Sequence, residues 1–103
     1  VSDFDEVFRV NKEIREDPNR PYFTGTFDLQ DEISCELALF EADQMVDSYL
    51  EKFRTRFKDP KMFEDLCQVY RKKFRTNLRE FQRQSREIID QYGYHKEDED
   101  GNV

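Results

Sequence analysis

Twenty-four aspartates and glutamates give this chain ample material for metal binding and acid–base chemistry, so their spacing is the first question. A di-iron site in a helical bundle needs Glu-x-x-His pairs on two helices. The single histidine, His95, lies beyond the last helical pattern, and no such pair exists. Asp98-Glu99-Asp100-Gly101 has the acids of a calcium loop without the glutamate that closes one. Nucleophilic triads fail for the same want of histidine. The glycines at 25, 93 and 101 are too scattered to build a phosphate loop. The residues therefore point away from an enzyme, with no metal and no cofactor expected.

The cations are better organised. Lys72, Arg75, Arg79, Arg83 and Arg86 fall within ~80° of one another at ~100° per residue, so they form one ridge if this segment is helical. Such a ridge could hold RNA or anionic lipid. An acidic ridge of Glu32, Glu36, Asp43 and Asp47 offers a simpler reading, because it falls on the same side of the chain when the two segments are folded together. The expected register sets Asp47 near Arg71 and Lys72, Asp43 near Arg75, Glu36 near Arg83 and Glu32 near Arg86. That makes a salt-bridge seam, each pair of which contributes only ~0.2–1 kcal/mol. The net charge of −7 disfavours nucleic acid as a partner of the whole molecule.

The elements that position these residues follow from the hinge at Phe57-Lys58-Asp59-Pro60. Asp59 can accept a bond from the free amides that open a helix, and Pro60 fits the first helical position. Proline also excludes helical angles at the residue before it. An upstream arm of about 29–58 and a downstream arm of about 60–92 must then pack as an antiparallel hairpin. The downstream arm repeats Phe63, Cys67, Tyr70, Phe74, Leu78, Phe81, Ser85, Ile88 and Tyr92 at helical spacing. The upstream arm repeats Cys35, Leu39, Ala42, Val46, Tyr49, Leu50, Phe53 and Phe57. Folding at the hinge sets Phe53 level with Phe63, Leu50 with Cys67, Val46 with Tyr70, Ala42 with Phe74, Leu39 with Leu78 and Cys35 with Phe81.

The class is all-α, in one domain over residues 1–93. A short helix over about 3–16 is capped by Ser2 and carries Phe4, Val7, Phe8 and Ile14 as a narrow stripe. Residues 17–28 read as an extended linker, and 94–103 as an acidic, flexible tail. Tyr22 and Phe23 in the linker either tuck over the core or form a secondary docking peptide. Cys35 and Cys67 lie ~22 Å apart along the hairpin, too far for a disulfide. Two buried thiols suit a reducing intracellular compartment, cytoplasmic or nuclear. No apolar run approaches the ~20 residues of a membrane span.

Val69-Tyr70-Arg71 supports no family assignment. A Leu-Tyr-Arg motif of small mitochondrial helical proteins opens a first helix, and these residues fall in the middle of the last one.

One further feature wants a partner. Leu29, Ile33, Leu37 and Phe40 make a second apolar stripe on the upstream arm, ~145° from the face that meets the downstream arm. The hairpin alone cannot bury it. The first helix is about long enough to cover it, giving a three-helix arrangement, and a second copy completing a dimeric bundle is the alternative. The function expected is a non-enzymatic helical protein-interaction module, an adaptor, assembly subunit or oligomerisation domain, whose partner is another protein or a second copy. Binding of RNA or anionic lipid through the basic ridge is the other reading.

Overall fold

The computed structural model describes residues 2–92 and shows an all-α chain of three helices, α1 (Asp3–Glu16), α2 (Glu32–Leu50) and α3 (Pro60–Tyr92). A 3-10 segment, Glu51–Arg56, carries α2 on toward the hinge. Gly93, His95 and the acidic tail lie outside the described residues.

The helix starts follow local chemistry. Ser2 Oγ accepts from the Asp5 amide at 3.2 Å and opens α1. Asp59 Oδ1 accepts from the Lys61 amide at 2.9 Å, which with Pro60 opens α3 at the predicted place. The upstream arm is shorter than expected at both ends. Asp31 caps α2, accepting from the Ile33 amide at 3.0 Å. Asp28 is occupied elsewhere: its carboxylate accepts from the Gln30 amide and its own N–H donates to Ser34 Oγ. Leu29 therefore sits in the turn before α2, half-buried, and is not part of the helical stripe. At the other end the α-helix gives way to 3-10 pairing after Leu50, a common way for a last turn to tighten.

The hairpin register agrees with the sequence. Val46, Leu50, Phe53, Phe57, Phe63, Leu66 and Cys67 form one buried cluster near the hinge. Ala38, Leu39, Ala42 and Leu78 form a second one further out, with Phe74 packed against both. Both cysteines are buried and unpaired.

The outer half of α3 departs from the predicted stripe. Phe81 is 58% exposed and Ile88 56%, while Gln82 is 1% exposed. Phe63 and Phe81 share one angle on a straight helix, so it is the line of contact that moves round α3, from the side of Phe63 and Leu66 near the hinge to the side of Leu78 and Gln82 further out. Gln82 rotates in where Phe81 was expected, and the polar side chain is satisfied there. Its Nε2 donates to the Cys35 carbonyl at 3.4 Å, and its Oε1 accepts from Arg79 Nη1 at 3.2 Å.

The first helix is the larger correction. It does not cover the stripe on α2. Val10 and Ile14 enter the hinge-side cluster, with Val7 packed beside them, whereas Phe4 and Phe8 are 69% and 72% exposed. Polar contacts over long sequence separations fix this position. Asp3 accepts from the Lys58 and Asp59 amides at 3.0 and 2.9 Å, taking up two N–H groups of the hinge. Arg56 bridges Glu6 and Glu13, each at 2.6 Å. Tyr70 donates to Asn11 Oδ1 and Tyr49 to Asp17 Oδ2, each at 2.6 Å. Burial and the facing Asp17 carboxylate push the Tyr49 phenol well above its ordinary range.

Candidate functional site

With α1 committed to the hinge end, the outer face of α2 has no cover from within the described chain. Ile33 is 71% exposed, Leu37 58% and Phe40 57%. They recur at four and three residues, which places them within ~60° on the helix. A contiguous apolar strip of this kind is a recognised sign of a docking surface. Leu29, the fourth residue expected here, is held aside in the preceding turn, where its carbonyl accepts from Arg86 Nη2 at 2.7 Å.

The charge around the strip is one-sided. Glu32, Glu36, Glu41, Asp43 and Asp47 are the only charged residues of α2, and all are acidic. Four of them face α3 and are met by its arginines. Arg71 contacts Asp47 at 2.7 Å, and Arg75 grips Asp43 through Nε and Nη2. Arg79 reaches both Glu32 and Glu36, and Arg86 lies 3.8 Å from Glu32. Arg83 does not meet Glu36, as the register predicted, but pairs within α3 with Glu80 and Glu87. Those two acids hold the Arg83 guanidinium protonated more firmly than usual. Glu36 meets Arg79 instead, consistent with the move of the contact line along α3.

The basic ridge is thus contiguous but largely neutralised. Lys72 is an exposed cation on the same arm, with no ion pair to another described residue. An open cleft of 620 Å³ runs along the ridge, yet Glu36 and Glu80 line it together with Arg75, Arg79, Arg83 and Arg86. An incoming phosphate would have to displace a carboxylate from each guanidinium it approached.

The linker divides its two candidates. Phe23 packs with Phe27 over the outer cluster, and Phe27 meets the Phe81 ring edge-on at 6.2 Å. Tyr22 is 72% exposed. A Cβ at Gly25 would lie 2.6 Å from Phe23 Cζ, so the loop passes this ring closely because it has glycine there.

The chain matches no protein-family model, no curated protein and no solved structure. Among the described residues, no group of three or more His, Cys, Asp or Glu side chains is placed to hold a metal ion. No helix among them is long and apolar enough to cross a membrane.

Sequence reasoning missed two features that depend on where α1 sits. Glu6 is buried, and the Arg56 hydrogen bond, assisted by Arg9, holds its carboxyl below the usual range. A cleft between the end of α1, the following turn and the hairpin brings Arg15, Arg20 and Lys73 together. These residues come from separate stretches, and no periodicity in the sequence links them.

Proposed function

We propose that this protein is a non-enzymatic helical interaction module, and that the α2 face of Ile33, Leu37 and Phe40 is its docking surface. The observation that carries this reading is the exposure of all three side chains while α1 packs at the far end of the hairpin. The occupant we infer is an amphipathic helix of a partner protein. Its apolar residues would lie on the strip and its flanks would carry Lys or Arg. Charge complementarity supports that choice over a second copy, since Glu41, exposed beside the strip, is the one acid of α2 not met by an arginine of α3, and α2 carries no cation. A second copy would bring another such glutamate and no cation of its α2 to this face. The buried free thiols suit work in a reducing compartment, cytoplasmic or nuclear. Binding of RNA or anionic lipid through the ridge is less well supported, because its arginines are already paired with acids.

The test is selection of helical peptides from a random library on the wild-type protein, repeated on the Leu37→Asp/Phe40→Asp double variant. Peptides that read apolar at three- and four-residue spacing with basic flanks, and that are lost on the variant, support the reading. Peptides retained by the variant would refute the surface. Sedimentation of the wild-type chain as a dimer that the variant abolishes would assign the face to a second copy.

A further inference from the structure

The cleft at the junction of the three helices has an apolar floor and a cationic rim. Phe74, Pro21 and the rings of Tyr49 and Tyr70 give the floor its accessible apolar surface, above the buried Ile14, Val46 and Leu50. The tyrosine hydroxyl protons are already given to Asp17 and Asn11, so both rings are held in place and present faces to the cleft without a free donor. At 390 Å³ the space lies within the ~300–1,000 Å³ typical of small-molecule sites.

The rim has an unusual balance for a chain with a net charge of −7. Arg15, Arg20 and Lys73 line the cleft, and no carboxylate does. Arg20 donates one N–H to the Arg15 carbonyl, which draws its side chain back toward the end of α1. Neither Arg15 nor Lys73 has an ion pair with another described residue. Asp17, which bonds to the Tyr49 hydroxyl, is also engaged by the Asn19 amide at 2.8 Å and by Lys52 at 3.6 Å. This is the converse of the ridge on the other side of the hairpin, where each arginine meets at least one carboxylate.

We propose that this cleft binds a small amphipathic monoanion, a medium-chain carboxylate, with the acyl chain against Phe74, Pro21 and the Tyr49 and Tyr70 rings and the carboxylate between Arg15 and Lys73. The apolar floor supplies affinity through removal of hydrocarbon from water. Charge-assisted hydrogen bonds at the rim supply orientation and select the anion over a neutral analogue. The ligand touches α1, α2 and α3 at once, so binding also clamps α1 to the hairpin. This inference is independent of the α2 docking face.

The probe is decanoate, below its micelle concentration, titrated into the full chain and followed by NMR. Saturable one-to-one shifts at Tyr49, Tyr70 and Asn77 are expected, with a rise in Tm that grows with decanoate concentration. Decanol, and decanoate on the Arg15→Gln/Lys73→Gln variant, should each bind at least tenfold more weakly. Both replaced side chains are exposed, and the variant should keep the wild-type Tm without ligand. Leu37→Asp/Phe40→Asp should bind decanoate unchanged, which separates this cleft from the α2 face. No saturable shift at millimolar decanoate would overturn the proposal. So would equal binding of decanol, unchanged binding by the double Gln variant, or shifts centred on Ile33, Leu37 and Phe40.

Discussion

Phe63→Ala and Phe81→Ala form a matched pair that tests how α3 is rotated against the hairpin. Both phenylalanines belong to the same helical stripe in the sequence, so a reading from periodicity alone gives them equal weight. Phe63 is 2% exposed, lies in the hinge-side cluster and meets the Phe57 ring at 5.7 Å. Its replacement by alanine should cost about 3–5 kcal/mol, the usual range for emptying a buried aromatic site. Phe81 is 58% exposed, so only two-fifths of its surface is shielded. For a side chain of ~200 Å² that is ~80 Å², or ~2 kcal/mol at ~25 cal/mol/Å². That figure is an upper bound, because the unfolded chain already shields part of the ring. The edge-on contact with Phe27 is included in the loss, and little cavity can form at a half-open site. We therefore expect about 1–2 kcal/mol for Phe81→Ala, and a gap between the variants of at least ~1.5 kcal/mol. Urea titration followed by circular dichroism measures both, with equal m-values as the check that the two unfold alike. Equal losses would refute the rotation and place Phe81 in the seam. A near-neutral Phe63→Ala would refute the hinge-side core itself.

The remaining predictions concern the polar contacts. The Arg75–Asp43 pair spans the seam at 2.7 Å with Arg75 44% exposed, so Arg75→Glu should lower stability modestly. The charge-swapped Asp43→Arg/Arg75→Glu variant should recover part of that loss, about 0.2–1 kcal/mol in a double-mutant cycle. A cycle showing no coupling would remove the pair from the forces that hold register. Docking of α1 should weaken in acid. The Lys58 and Asp59 amides hold the Asp3 carboxyl below its ordinary 3.8, and Arg56 holds Glu6 and Glu13 below 4.5. The Tyr49 hydroxyl does the same for Asp17. Depressed folded values mean that these contacts contribute fully above about pH 5 and are lost as pH falls through the folded values. Amide exchange at Lys58 and Asp59 should accelerate on Asp3→Ala at neutral pH, relative to wild type under the same conditions. Unchanged protection there would show that Asp3 does not hold the hinge.

Much of the hairpin is decided locally. Asp59-Pro60 ends one helical arm and opens the next through backbone chemistry that needs no distant partner. Helical spacing places Leu50 with Cys67 and Leu39 with Leu78, since a short hinge leaves only one antiparallel register. The buried, unpaired state of both cysteines follows from that register. Other features were beyond the reach of spacing. Phe63 and Phe81 share one angle on a straight helix, so periodicity gives no sign that the line of contact shifts along α3. Packing of the two arms alone shows that in the outer half the line has crossed to Gln82 and left Phe81 outward. A short amphipathic helix on an extended linker can also reach either end of the hairpin, and its own sequence prefers neither. The choice was made by contacts between residues more than fifty positions apart, Asp3 with the hinge amides and Tyr70 with Asn11. Those contacts leave Ile33, Leu37 and Phe40 uncovered and create the Arg15–Lys73 cleft, because a surface shared by three helices exists only once they have packed.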